Sequence, residues 1–295
     1  MTRRFGWILN LDAELELARG SAGHVAPRKL LAQLEEHGKS SRLLLGRADV
    51  LLKEAQAAKP ERRDELVGRA WCPTPTAIAA MRAFGVEPEP HPEVGVLRRV
   101  NHRLFAHELG GGLPGQAYVR SREQLLARLG GFEQRWLLKR PLSFAGRGQL
   151  RILGPLSEKQ WSWVDVSLTR DGLLVEPFVE PRLELSLHGF VWRDGRQELG
   201  SICRQLVSPR GAFQGVQRAQ DDELTAAERS AFLEQGERVA AALSRAGYFG
   251  PFGIDGYRYT LGGSAGFCAL GEINARYTLG FVAGFPRHPS ELWLG

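Results

Sequence analysis

Apolar and polar positions alternate in short blocks over the first hundred residues. Apolar runs of strand length are followed by stretches in which apolar positions recur every three or four residues, the spacing of an amphipathic helix. The predicted elements are a strand at 5–11, a helix at 27–37, a strand at 42–45, a helix at 74–84, an extended segment at 86–90 and a helix at 94–109. This alternation predicts a small α/β lobe with a mostly parallel sheet. No GxGxxG motif follows the first strand, so a dinucleotide site is not predicted there.

The pattern changes after the glycine-rich segment 110–115. Runs with a period of two become frequent, which favours strand hairpins with a few helices. The predicted elements are helices at 124–129 and 226–246, strands at 136–139, 149–153, 173–179, 182–192, 252–260 and 267–277, and a loop at 143–148. The fold class is therefore α/β in the first part and α+β in the rest.

Composition limits the range of functions. The chain has 295 residues and a net charge of +6, and 33 of its 39 basic residues are arginines dispersed along the sequence. At roughly 100–200 residues per domain this length predicts about two domains. An apolar fraction of 43% excludes wholesale disorder. Because the arginines are scattered and no RNP, zinc or helix-turn-helix motif occurs, we do not expect a nucleic-acid partner.

Neither a membrane segment nor a secreted chain is expected. No window approaches 18 uninterrupted apolar residues, and Asp12, Glu14 and Glu16 interrupt the apolar start before it reaches signal-peptide length. The three cysteines are odd in number and far apart, at positions 72, 203 and 268. They form neither a disulfide framework nor a CxxC metal motif, so we expect a reducing cytoplasm.

The most informative residues lie on the last two predicted strands. Side chains of a strand alternate between faces, so Glu272, Asn274 and Arg276 share one face. A two-residue turn at 263–264 would place Asp255 directly opposite Glu272. Two facing carboxylates repel each other, whereas two carboxylates and an amide oxygen suit Mg²⁺ that bridges phosphates. The alternative is a solvated polar face on an edge hairpin.

Lys139 closes an apolar strand and is followed by a loop that contains glycine. Such a segment places an ammonium and several backbone N–H groups around phosphate oxygens. The chain has only six lysines, which suggests that a compact point charge is needed at this position. The alternative is that the glycines only turn the chain.

A third segment, 173–179, is an apolar strand that runs into an extended linker before Glu184. The backbone of such a linker offers N–H and C=O groups to an adenine edge, and a carboxylate beyond it accepts hydrogen bonds from ribose hydroxyls. The alternative is a buried strand followed by a proline turn.

In this order and spacing the three segments resemble the ATP-grasp superfamily over about residues 95–285. The segments 247–255 and 272–276 are the most specific, and the preceding lobe is similar to the pre-ATP-grasp domain. The resemblance implies two α+β subdomains that clamp ATP, Mg²⁺ or Mn²⁺ as the metal, and ADP-forming ligation of a carboxylate. The implied domains are a pre-ATP-grasp lobe at 1–110, a lid subdomain at 111–180 and a C-terminal metal-binding subdomain at 181–295.

The resemblance also implies a role for each matching residue. The list is Lys139 at the α- and β-phosphates; Ser143, Gly146 and Gly148 in the loop over the triphosphate; Glu176, Phe178 and Val179 at the adenine; Glu184 at the ribose; Asp255, Glu272 and Asn274 at the metal; and Arg276 at the transferred phosphoryl or acyl group. Two departures from the family pattern matter. Arg103 stands in place of a second lysine before the lid, as a candidate phosphate contact. Arg140 intervenes after Lys139, where proline is common.

The predicted activity is that of an ATP-dependent carboxylate–amine ligase, with Lys139 and Arg276 as catalytic residues. An acyl phosphate made from ATP supplies the activated acyl group, and the absence of GxSxG and Cys–His motifs agrees with a reaction that needs no protein nucleophile. The expected substrates are a small carboxylate and an amine, amino acids or a peptide among them, with Arg204 and Arg210 as contacts to an anionic substrate. A homodimer is compatible with the sequence. The alternatives are a kinase on the same fold and an ATP-binding regulatory protein without turnover.

Overall fold

The computed structural model describes residues 3–20, 41–52, 65–130, 134–143, 148–207 and 213–294. Its strands are β1 (Arg4–Ile8), β2 (Val50–Leu51), β3 (Leu66–Ala70), β4 (Ala117–Val119), β5 (Trp136–Lys139), β6 (Gln149–Ile152), β7 (Leu173–Pro177), β8 (Leu183–Val191), β9 (Gln197–Val207), β10 (Phe213–Arg218), β11 (Gly250–Leu261) and β12 (Ser264–Asn274). Its helices are α1 (Ala13–Arg19), α2 (Pro75–Ala83), α3 (Val94–Val100), α4 (Arg103–Leu109), α5 (Arg122–Leu129), α6 (Glu158–Arg170), α7 (Ala226–Arg245) and α8 (Phe281–Gly284), with 3₁₀ turns at Arg42–Leu44 and Pro289–Glu291.

The first lobe is built on a parallel sheet in the order β2-β1-β3, as the alternation predicted. The central strand is almost wholly apolar because both of its faces are covered, and Trp7 is fully buried. The strand predicted at 42–45 is wrong. That segment forms the 3₁₀ turn Arg42–Leu44, in which Leu43 is exposed and Leu44 is buried. The helix predicted at 27–37 lies outside the described residues.

The single helix predicted at 94–109 is two helices, α3 and α4. The chain breaks at Asn101 and His102, and the His102 ring accepts the Leu104 N–H to cap α4. The Asn101 side chain accepts the Ala275 N–H (2.8 Å), which ties the break to the strand end after β12. Arg103 therefore begins a new helix beside the residues predicted to bind metal.

The residues of the predicted lid subdomain form an antiparallel sheet in the order β4-β7-β5-β6, with α5 and α6 packed on it. Its core residues Leu125, Leu138 and Val175 are fully buried. Helix α6 was not predicted, although Ser157 and Gln160 form a capping box at its start. The predicted strands at 136–139 and 149–153 are confirmed as β5 and β6.

A larger antiparallel sheet, in the order β10-β9-β8-β11-β12, carries the predicted metal-binding residues. The predicted long helix is confirmed as α7, and Phe232, Val239 and Leu243 are buried on the stripe that faces the sheet. Strands β9 and β10 were not predicted. They extend the sheet beyond β8 and bring Gln205 towards the residues on β11 and β12.

The hairpin of β11 and β12 pairs Asp255 with Glu272, as predicted, but through a different path. The turn is Gly262–Gly263, one residue earlier than expected, and both glycines have positive φ (57° and 82°). A bulge between Asp255 and Tyr257 shifts the register back. The two deviations cancel, so the predicted pairing is confirmed although the predicted turn position is wrong.

Two general expectations are also checked by the structure. Cys72, Cys203 and Cys268 are buried free thiols. Within the described ranges, none of the helices has the length and apolar character needed to cross a bilayer.

Candidate active site

An open cavity of about 330 Å³ lies where the first lobe, the two ends of the loop between β5 and β6, and the large sheet meet. It brings together six residues predicted from the sequence: Arg103, Ser143, Asp255, Glu272, Asn274 and Arg276. The first lobe adds Leu11, Glu14 and Trp71, and the large sheet with its following turn adds Ser186, His188, Gln205 and Thr278. The cavity therefore joins elements that are far apart in the sequence.

Asp255 is a partly buried acid of the cavity wall. Its Oδ1 accepts a hydrogen bond from Gln205 Nε2 (2.8 Å) and its Oδ2 accepts one from Asn274 Nδ2 (3.0 Å). Burial, followed by the charge of Glu272, raises the pKa of Asp255 to about 7. A negative charge at this position is thus disfavoured unless a cation compensates it.

Asp255, Glu272 and Asn274 supply hard oxygen donors of the kind that Mg²⁺ prefers. The described residues contain no cluster of three acidic, histidine or cysteine side chains that could hold a metal. The predicted set has two carboxylates and one amide oxygen, so a cation here would complete its coordination with phosphate oxygens and water. Burial, followed by the charge of Glu272, disfavours a negative charge on Asp255, and a divalent cation bound by this donor set would offset both effects.

Arg276 is held rigidly beside these residues. Its Nη2 donates to Asn274 Oδ1 (3.0 Å), its Nη1 donates to the Tyr277 carbonyl oxygen (3.0 Å), and its Nε donates to Glu14. Burial lowers the pKa of the Arg276 guanidinium, but the charge and hydrogen bond of Glu14 outweigh it and raise the pKa. Arg276 therefore presents a permanent positive charge to the cavity.

Arg103 connects the start of the predicted lid loop to the residues predicted to bind metal. Its Nη1 donates to the Arg140 carbonyl oxygen (2.5 Å) and to Ser143 Oγ (2.8 Å), and its Nη2 donates to Glu272 Oε1 (2.5 Å). The side chain is only 7% exposed. Arg103 thus lies beside the residues predicted to bind metal, where it pairs with Glu272. Its contacts with Arg140 and Ser143 hold the start of the loop that follows β5.

Lys139 forms an ion pair with Glu176, and both side chains are nearly buried. Burial raises the pKa of Tyr257 on β11, and the charge of Glu176 contributes to this effect. The lid sheet and the large sheet therefore face each other here. The guanidinium carbons of Arg135 and Arg151 lie 5.3 and 4.6 Å from the centre of the Phe178 ring.

The remaining predicted residues lie around this cleft. Val179 packs against Tyr259 and Cys268, at the linker between the lid and the large sheet. Glu184 on β8 lies opposite Tyr257 on β11, and burial raises the pKa of the Glu184 carboxyl. Gly148 has φ of 74° and accepts the Arg140 N–H through its carbonyl oxygen (2.8 Å), which closes the lid loop.

Seven predicted residues that the structure describes do not line the cavity: Lys139, Gly148, Glu176, Phe178, Val179, Glu184 and Arg204. Arg204 neighbours Gln205 on β9 and so points to the opposite face, where it pairs with Glu223 (2.5 Å). Gly146 and Arg210 lie outside the described residues.

Sequence reasoning missed several residues of the cavity wall. Both ring nitrogens of His188 are hydrogen-bonded. Nε2 is 3.1 Å from Ser186 Oγ, and Nδ1 is 2.9 Å from Thr278 Oγ1. Burial lowers its pKa to about 4, so the ring is neutral. The only local signal was the alternation along 182–192, which places Ser186 and His188 on one face.

The architecture is that of the ATP-grasp fold, as the resemblance predicted. Carboxyaminoimidazole ribonucleotide synthase from Aspergillus clavatus, solved with ATP, is 15% identical over all of this chain and 78% of its own, with a TM-score of 0.53. D-alanyl-alanine synthetase A from Vibrio cholerae is 13% identical over 77% of this chain and 70% of its own, with a TM-score of 0.52.

The biotin carboxylase domain of 2-oxoglutarate carboxylase from Hydrogenobacter thermophilus, solved with MgADP and bicarbonate, is 15% identical. The match covers 77% of this chain and 50% of that one, with a TM-score of 0.51. The chain also spans 62% of the length of N5-carboxyaminoimidazole ribonucleotide synthetase from Thermus thermophilus. No family model matches the sequence, and no curated protein matches it. These likenesses establish the fold.

Proposed function

We propose that the protein is an ATP-dependent, ADP-forming ligase that joins a small carboxylate to an amine. The observation that carries the proposal is the convergence of Asp255, Glu272, Asn274 and Arg276 on one cavity beside the lid loop. Two carboxylates, an amide oxygen and a guanidinium supply the charges that transfer of a phosphoryl group to a carboxylate requires. Structures of the same fold solved with ATP or MgADP support the nucleotide and the metal.

In this proposal the nucleotide lies between the lid sheet and the large sheet. Lys139 leaves its pair with Glu176 to contact phosphate oxygens, and Ser143 and Gly148 position the loop above them. Phe178, Val179 and Glu184 line the adenosine end. Asp255, Glu272 and Asn274 would hold Mg²⁺, which neutralises phosphate charge when bound.

The chemistry needs no covalent intermediate with the protein. A carboxylate oxygen of the substrate attacks the γ-phosphorus, the bond to the β-phosphate oxygen breaks, and ADP leaves. The amine then attacks the acyl carbon, inorganic phosphate leaves, and the nitrogen loses a proton. Arg276, fixed by Glu14 and Asn274, lies where it can stabilise the charge that develops on the transferred group.

The test is release of ADP and phosphate across pools of amino acids and small organic acids. A ligase releases ADP and phosphate in equal amounts and only when both substrates are present. ADP release that leaves the phosphate on the organic product would identify a kinase and refute the proposal. The binding step is checked separately, because ligand at about 100 times its Kd stabilises a fold by roughly 2.7 kcal/mol. An unchanged melting temperature with MgATP and MgADP would contradict nucleotide binding.

A further inference from the structure

The guanidinium of Arg103 is fully paired on one side and only partly paired on the other. Its Nη1 donates to the Arg140 carbonyl oxygen (2.5 Å) and to Ser143 Oγ (2.8 Å). Its Nη2 donates to Glu272 Oε1 (2.5 Å), while Nε is buried and has no partner among the described residues. Buried polar groups are nearly always hydrogen-bonded, so this unpaired donor requires an explanation.

A second buried arginine shows what the pair of donors Nε and Nη2 can bind. Arg69 donates from Nε to one carboxylate oxygen of Glu89 and from Nη2 to the other, both at 2.6 Å. These two nitrogens match the spacing of two oxygens of one carboxylate or one phosphate. Arg103 gives the same pair of donors only a single oxygen of Glu272. The Nε–Nη2 edge of Arg103 is therefore a bidentate site for an oxyanion that is only half filled.

The ion pair of Arg103 with Glu272 lies on the wall of the candidate active site. Both residues line the cavity, together with Asp255 and Asn274. The Arg103 side chain is 7% exposed, whereas the Glu272 side chain is 39% exposed. Glu272 is thus accessible to a ligand while the guanidinium stays enclosed. One of the two carboxylates proposed to bind metal is already neutralised by a cation of the protein itself.

A divalent cation and the Arg103 guanidinium compete for the charge of Glu272. Two cations beside one carboxylate repel each other, so each weakens the binding of the other. If Nη2 loses Glu272, the whole Nε–Nη2 edge lacks a partner, and a buried charged donor without a partner is costly. An oxyanion on this edge removes that cost. Nη1 keeps its contacts with Arg140 and Ser143, so the exchange does not require the side chain to leave its place.

We propose that Arg103 exchanges Glu272 for a phosphate group of the nucleotide, and that this exchange couples nucleotide binding to metal binding. Without nucleotide, Arg103 holds Glu272 and opposes the binding of a metal alone. When a phosphate occupies the Nε–Nη2 edge, Glu272 is released to the metal. The coupling is reciprocal, so each ligand strengthens the binding of the other. This inference rests on the proposed function and adds an autoinhibitory contact to its metal site.

The test is isothermal titration calorimetry of the full chain with Mg²⁺ alone and with ADP in saturating Mg²⁺, for the wild type and Arg103→Met. Methionine keeps an unbranched apolar side chain and removes the guanidinium. Mg²⁺ alone should bind about 5-fold more tightly to Arg103→Met, because the competing cation is gone. ADP should bind about 10-fold more weakly, because a charged bidentate contact is lost. Loss of a purely structural contact would weaken both ligands together.

Arg103→Lys is the matched control, because it keeps the charge beside Glu272 but lacks the Nε–Nη2 edge. It should bind Mg²⁺ alone as the wild type does and bind ADP more weakly. If Arg103→Met does not fold, Arg103→Gln, which retains an NH₂ donor for the Arg140 carbonyl oxygen, is read in the same way.

Mg²⁺ binding without ADP that is unchanged or weaker in the uncharged variant would overturn the inference. The same holds if Mg²⁺ alone binds measurably to none of the proteins. In both cases a wild type that binds ADP with Mg²⁺ leaves the proposed function standing. A wild type that binds no ADP would count against the proposed function itself.

Discussion

Replacing Asp255 by asparagine separates a metal site from a structural carboxylate. In the metal-free protein, burial and the charge of Glu272 raise the pKa of Asp255 from 3.8 to about 7. A folded-state pKa above the unfolded value means that stability is full below about pH 4 and is lost as the pH rises towards 7. At 1.36 kcal/mol per unit, a shift of about three units corresponds to about 4 kcal/mol.

The expected net effect is smaller than this limit. Asp255 is half-buried at the cavity wall, and remaining solvent access reduces the penalty to about 2 kcal/mol. Asparagine also offers an NH₂ to one of the two donors, Gln205 or Asn274, and that mismatch costs up to about 1 kcal/mol unless an amide rotates. At pH 8 without metal, Asp255→Asn should therefore be more stable than the wild type by about 1 kcal/mol.

The assay is urea unfolding of both proteins at pH 5 and pH 8 in a chelator, set beside ADP release with MgATP and a substrate pool. The stability gain of the variant should shrink at pH 5, where the wild-type carboxyl is protonated, and turnover should be lost. Asp194→Asn is the control, because that exposed carboxylate pairs only with Arg196 among its described contacts. A variant that is 2 kcal/mol less stable at pH 8, or that still turns over, would refute the metal-site assignment.

Three further outcomes follow from the structure. The hydrogen bond from Arg258 holds the pKa of Glu228 at about 2, so Glu228→Gln should destabilise the protein by about 2 kcal/mol at pH 7. In acid unfolding curves this difference in stability should vanish as the pH falls from 4.5 towards 2. Burial lowers the pKa of His188 to about 4, so the free energy of unfolding of the wild type should fall by up to about 3 kcal/mol between pH 6.5 and 4. Chemical denaturation should show a smaller fall for His188→Asn over that interval. A Cβ on Gly200 would lie 2.3 Å from the Gly284 carbonyl oxygen, so Gly200→Ala should lower the melting temperature by several degrees. An unchanged melting temperature would contradict the close approach of β9 to α8.

The sequence alone specified the residues whose chemistry and spacing lie within one element. Alternation along β12 put Glu272 and Asn274 on one face, and the apolar run of β5 ended at Lys139. The pairing of Asp255 with Glu272 was predicted because a hairpin is a local structure. Its turn was predicted one residue too late, and its bulge was not predicted, since a bulge depends on packing against the neighbouring strand rather than on periodicity.

The tertiary structure alone decided which distant elements meet at the cavity. Glu14 looks like an ordinary acid of a short helix, and Trp71 looks like a core residue after a strand. Neither has a local signal that points to Arg276, which lies more than 200 residues further along the chain. Gln205 lies on a strand that periodicity did not reveal, yet it donates to Asp255. Local patterns fix the face on which a side chain lies, whereas long-range packing of sheets and helices determines which faces meet.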